Sequence, residues 1–65
     1  MIGQRLRLAR QGAGLSLREL EARLDNRVTA QALSKYEHDL MMPGSGVLRA
    51  LAEALGVSVS YLLSP

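Results

Sequence analysis

The stretch Ser16–His38, SLRELEARLDNRVTAQALSKYEH, decides how this chain folds. Ser16 stands three residues before Glu19, the spacing of a capping box. In that arrangement the hydroxyl accepts from the Glu19 amide and the carboxylate reaches back to the Ser16 amide. A helix therefore starts here, and Leu17, Leu20 and Leu24 fall on its buried face. Asp25-Asn26-Arg27 is turn-forming and stops it. Thr29 suits the N-cap of a following helix that runs to about His38. Along this helix Ala32, Leu33 and Tyr36 point one way, while Gln31, Ser34, Lys35 and His38 fall within about 100° on the other. Only three residues separate Leu24 from Val28, too few for a hairpin with long antiparallel arms. The two short helices must cross steeply, as in a helix-turn-helix.

Working outward, Ile2, Leu6, Ala9 and Ala13 form one helical stripe before the decisive stretch, ended by Gly12 and Gly14. After it, Leu40–Gly46 reads as a loop, because Pro43 and the glycines disfavour helix. Val47, Leu48, Leu51, Ala52 and Leu55 form a fourth amphipathic helix closed by Gly56. Ser58 caps a short fifth helix through about Leu63. The expected fold is all-α, a compact five-helix bundle in a single domain spanning residues 1–65. At 65 residues the chain is near the lower limit for independent folding, and it has no cysteine to staple it.

Composition excludes several functions. One His and no Cys cannot supply a protein-only zinc site, so no metal is expected. There is no paired-carboxylate cleft, nucleophile–base set or phosphate-binding glycine loop, so neither an enzyme nor a cofactor is expected. No apolar run approaches a membrane span, and the Met1 end lacks a secretory pattern. A cytoplasmic protein is expected. Charge is uneven within a net of +2. Residues 1–27 carry six arginines (5, 7, 10, 18, 23, 27) against Glu19, Glu21 and Asp25. Residues 28–65 carry Lys35 and Arg49 against Glu37, Asp39 and Glu53. A basic half suits a polyanion such as DNA.

The third helix offers the polar side chains that a major-groove helix presents near its start. Gln31 suits two-pronged pairing with adenine, Lys35 suits guanine, and Ala30 suits contact with a thymine methyl. Free amides at the Thr29-capped end would hold a phosphate. The same residues equally describe an ordinary solvated face.

Nearly the whole chain resembles the phage-repressor and Cro (XRE-like) type of helix-turn-helix domain. Leu15-Ser-Leu-Arg-Glu-Leu20 looks like the start of that family's second helix. Val28-Thr-Ala-Gln-Ala-Leu-Ser-Lys-Tyr-Glu37 looks like its recognition helix. Pro43, Leu51-Ala-Glu-Ala-Leu-Gly-Val-Ser58 and Tyr61-Leu-Leu63 resemble its closing helices. The resemblance implies a DNA-binding domain, bacterial or phage-encoded. It places Thr29, Ala30, Gln31 and Lys35 at base- and phosphate-contacting positions, and Ser16 and Arg18 near the DNA backbone. It also implies a partly buried, structural ion pair between Arg10 and Glu37. Ser34 and His38 complete the candidate face.

Three departures qualify the likeness. Leu17 stands where many members have a Gln that contacts phosphate and braces the recognition helix. The turn Asp25–Arg27 is about two residues longer than usual, which turns Arg27 toward either the DNA backbone or water. His38-Asp-Leu-Met-Met42 lacks the usual basic residue, although Asp39 can take the left-handed conformation. We expect some of Leu40, Met41 and Met42 to seal the base of the domain; the alternative is an apolar contact surface. Tyr36 and Tyr61 are expected in the core.

The functional expectation is sequence-specific binding of double-stranded DNA by a transcriptional repressor, as a homodimer on a palindromic operator. The alternative is a protein-interaction or dimerisation module with weak DNA binding. The ending Leu63-Ser-Pro65 suggests that a further C-terminal domain or a partner protein follows.

Overall fold

Local side-chain capping sets where three of the helices start. In the computed structural model, which describes residues 2–65, the order is α1 (Gly3–Gly12), α2 (Leu17–Arg23), α3 (Ala30–Glu37), α4 (Ser45–Leu55) and α5 (Val59–Leu63). There is no strand among the described residues. The capping box at α2 is complete: Ser16 Oγ accepts from the Glu19 amide at 3.0 Å, and Glu19 Oε1 accepts from the Ser16 amide at 2.8 Å. Thr29 and Ser58 cap α3 and α5 by accepting from Ala32 and Tyr61.

The hydrogen bonds from Ser16 hold the Glu19 carboxyl below the ordinary glutamate range. A carboxyl with a lowered folded pKa contributes stability that is present above its unfolded value, about 4.3, and is lost as pH falls through the folded value. Glu19→Gln should therefore flatten the acid limb of stability below about pH 4.3. Parallel acid limbs for the two proteins, measured by urea unfolding at several pH values, would contradict this.

The first three helices end alike. The Leu15 amide returns to the Arg10 carbonyl at 3.1 Å around left-handed Gly14, the six-to-one bond of a Schellman motif. In α2 and α3 the left-handed residue is an aspartate, Asp25 (φ 56°) and Asp39 (φ 57°), with Asn26 and Leu40 closing the bond at 2.9 Å each. Asn26 is also left-handed (φ 60°), so the α2–α3 turn contains two such residues in succession.

Two expectations need correction. Helix α4 begins at Ser45, not Val47, with Gly44 extended at its N-cap and the Leu48 amide bonded to the Gly44 carbonyl at 2.9 Å. Gly46 costs a helix only about 1 kcal/mol, which burial of Leu48, Leu51, Ala52 and Leu55 outweighs. Leu40, Met41 and Met42 do not seal the base: they are 75%, 42% and 59% exposed. Pro43 takes the buried position in that segment, and the preceding Asp39 spends its carboxylate on the α1 N-terminus, accepting from the Gly3 amide at 2.9 Å.

Leu6, Leu20, Leu24, Leu33, Leu51 and Leu62 are fully buried, and every helix contributes at least one of them. Tyr36 belongs to this core, whereas Tyr61 is half-buried beneath the Arg5 guanidinium, 4.8 Å from its ring centre. Arg10 and Glu37 tie α1 to α3. Nε and Nη2 donate to the two carboxylate oxygens at 2.6 and 3.1 Å, and Nη1 donates to the Leu15 carbonyl at 2.8 Å. The carboxylate raises the Arg10 pKa further above its already high ordinary value.

Candidate nucleic-acid interface

The side chains of α3 that do not enter the core form its outer face. Leu33 and Tyr36 are buried, Ala30 and Ser34 are half-buried, and Thr29, Gln31 and Lys35 are exposed. The α2–α3 turn brings the start of α2 against the start of α3. Arg18, Glu21, Thr29, Ala30 and Gln31 surround one shallow depression of about 230 Å³. A cation, an amide side chain and a small apolar residue thus share one concave surface, a combination suited to phosphate oxygens and base edges.

Other candidates lie apart from that depression. Ser16 is exposed at the start of α2, where its hydroxyl is engaged in the capping box. Lys35 and Ser34 lie about one turn further along α3 than Ala30 and Gln31. His38 Nδ1 lies 2.8 Å from the Ser34 carbonyl, which ties the ring to its own helix end. Arg27 is exposed, and its Nε donates to the Leu24 carbonyl at 3.2 Å. It borders a different groove, with Leu24, Val28, Gly46, Val47 and Ala50.

At the α3 N-terminus, where free amides were expected to hold a phosphate, two amides already have acceptors within the chain. Glu21 Oε2 accepts from the Ala30 amide at 3.2 Å, Thr29 Oγ1 from Ala32 at 3.0 Å, and the Thr29 carbonyl from Leu33 at 2.9 Å. The Leu33 bond is the first of the ordinary intrahelical ladder; of the three α3 amides ahead of it, that of Gln31 has no acceptor within the chain. Sequence reasoning missed Glu21. The available signal was its place four residues after Leu17 and three before Leu24, an acid beside an apolar stripe and so directed at a neighbouring helix.

Among the described residues no helix is long and apolar enough to cross a membrane, and no group of three His, Cys, Asp or Glu could hold a metal ion. No curated protein and no solved structure matches the chain. A family model described as helix-turn-helix matches residues 6–62, nearly the full length, and includes the whole of α2, the turn and α3. The chain therefore belongs to the helix-turn-helix family of phage-repressor and Cro (XRE) type, a family of DNA-binding regulators.

Proposed function

We propose that this chain binds double-stranded DNA in a sequence-specific manner and represses transcription as a homodimer on a palindromic operator. One observation carries the reading: the exposed polar start of α3 shares a depression with Arg18 at the start of α2. Gln31 pairs with adenine, Lys35 donates to guanine, and Ala30 packs on a thymine methyl. Arg18, Arg27, Ser16, Ser34 and His38 contact sugar and phosphate and fix the register, while Thr29 caps the reading helix. A domain of this size presents a small contact area, so useful specificity calls for two copies on half-sites about 34 Å apart.

Selection of bound duplexes from a random DNA pool tests this directly, and failure to enrich any sequence would overturn it. On an enriched duplex, Gln31→Ala should weaken binding by about 1–3 kcal/mol while binding to an unrelated duplex hardly changes. Equal losses on both would remove Gln31 from base reading. Affinity should also fall linearly with the logarithm of salt concentration, as counterion release requires.

The exposed Leu40, Met41 and Met42 favour a second reading, a protein-interaction module with weak DNA binding. That reading predicts no enriched sequence in the same selection.

A further inference from the structure

We propose that Glu21 is a positioning residue that acts as a built-in occupant of the phosphate position at the recognition helix, excluding the DNA backbone from the N-terminus of α3. The inference rests on the DNA-binding reading above and deepens it. A helix N-terminus attracts anions because its first amides lack intrahelical acceptors and carry the positive end of the helix dipole. In α3 a carboxylate of the same chain meets that demand: Glu21 Oε2 sits 3.2 Å from the Ala30 nitrogen. The carboxylate also lines the depression with Arg18, Thr29, Ala30 and Gln31, so its charge faces the surface that DNA would approach. Glu21 is half-buried, and the one ion pair among the described residues is Arg10–Glu37. Glu21 thus makes no ion pair, and its partner is the Ala30 amide at the helix end.

Two consequences follow. The link from α2 to the first turn of α3 fixes the angle of the recognition helix, in a chain whose Leu17 has no polar group with which to brace it. The negative charge beside Gln31 also penalises any duplex held by its backbone alone, because a phosphate at this point meets a carboxylate and finds the Ala30 amide taken. Binding then depends more heavily on base contacts, and the ratio of specific to non-specific affinity rises.

Glu21→Gln and Glu21→Ala separate these effects. Gln retains an acceptor for the Ala30 amide but presents an NH2 group in place of the charge; Ala frees the amide altogether. Inorganic phosphate titrated against each protein, with the Ala30 and Gln31 amides followed by NMR, tests occupancy without DNA. Saturable shifts are expected in Glu21→Ala and none in the unaltered chain; equal shifts in both would overturn the proposal. On an unrelated duplex, Glu21→Gln should bind about five- to tenfold more tightly, with a salt slope steeper by up to about 0.9, the equivalent of one phosphate no longer opposed by a carboxylate. Unchanged non-specific affinity and slope in Glu21→Gln, with weaker binding to every duplex in Glu21→Ala, would reduce Glu21 to a structural cap and overturn its excluding role. The phosphate result together with salt-insensitive, sequence-independent duplex binding would support occupancy by Glu21 and count against the DNA reading instead.

Discussion

Replacing Arg10 with alanine is expected to lower the unfolding free energy by about 3–5 kcal/mol. The Glu37 side chain is only 4% exposed, and both of its carboxylate oxygens accept from Arg10. Without the guanidinium, a carboxylate would remain in a nearly dry position with no compensating charge. The Leu15 carbonyl in the link between α1 and α2 would lose its donor in the same step. A domain of 65 residues is expected to have only about 3–10 kcal/mol of stability in total. The variant should therefore be largely unfolded at physiological temperature, with a much lower urea midpoint. The reverse change, Glu37→Ala, should be comparably harmful, because Arg10 is itself only 13% exposed. Changing both to apolar residues of similar volume should recover much of the loss, since the desolvation penalty of the pair disappears with the charges. A loss below about 1 kcal/mol for Arg10→Ala would show that the pair behaves like a solvated surface bridge.

Gly3→Ala should destabilise by about 2–3 kcal/mol, against the usual order in which alanine is the better helix former by about 1 kcal/mol. A Cβ at Gly3 would meet the Glu37 carbonyl oxygen and stand 2.8 Å from the Glu37 carbonyl carbon and 2.9 Å from Asp39 Oδ1. These are mostly backbone atoms at the end of α3, and they cannot rotate aside. The start of α1 would have to lift away, breaking the hydrogen bond from the Gly3 amide to Asp39. Gly12 provides the control. It occupies the last turn of α1 with nothing within 4 Å of an added Cβ, so Gly12→Ala should be neutral or stabilising by up to about 1 kcal/mol. Thermal unfolding should show a lower Tm for Gly3→Ala and an unchanged or higher Tm for Gly12→Ala. An unchanged or higher Tm for Gly3→Ala would mean that α1 and α3 are not in the close contact described.

What the sequence revealed and what it hid divide according to distance along the chain. Capping interactions act over three residues, so Ser16 with Glu19, Thr29 with Ala32 and Ser58 with Tyr61 could be read from spacing. Apolar periodicity likewise placed α1, α2 and α3, and the Ser58 cap placed α5. The contacts that assemble the surface act at longer range. Glu21 meets Ala30 nine residues away and Gly3 meets Asp39 thirty-six away; the place of Glu21 beside the apolar stripe points at a neighbouring helix, but nothing local names the partner in either pair. The start of α4 was hidden because glycine is a poor guide in a first turn. There the penalty of Gly46 is small beside the burial that follows. Leu40–Met42 misled for a different reason. Hydrophobic composition suggests burial, but the left-handed Asp39 and the buried Pro43 decide how that short segment runs, and three apolar side chains are left in water. At the candidate interface, residue types and the helical face were legible, whereas the acid among them was not.

The way α3 is anchored also bears on how such a protein can diverge. Leu33, Tyr36 and Glu37 hold the helix from one side, while Gln31 and Lys35 stand exposed on the other. Substitutions on the exposed side leave the core untouched, and surface changes away from special features usually shift stability by no more than about 0.5 kcal/mol. A lineage carrying this scaffold can therefore exchange Gln31 and Lys35 for other residues without first acquiring compensating changes inside. On the reading proposed above, in which Gln31 and Lys35 read bases, new target preferences become reachable in single mutational steps, and two descendants can come to act at different sites while their interiors stay nearly identical.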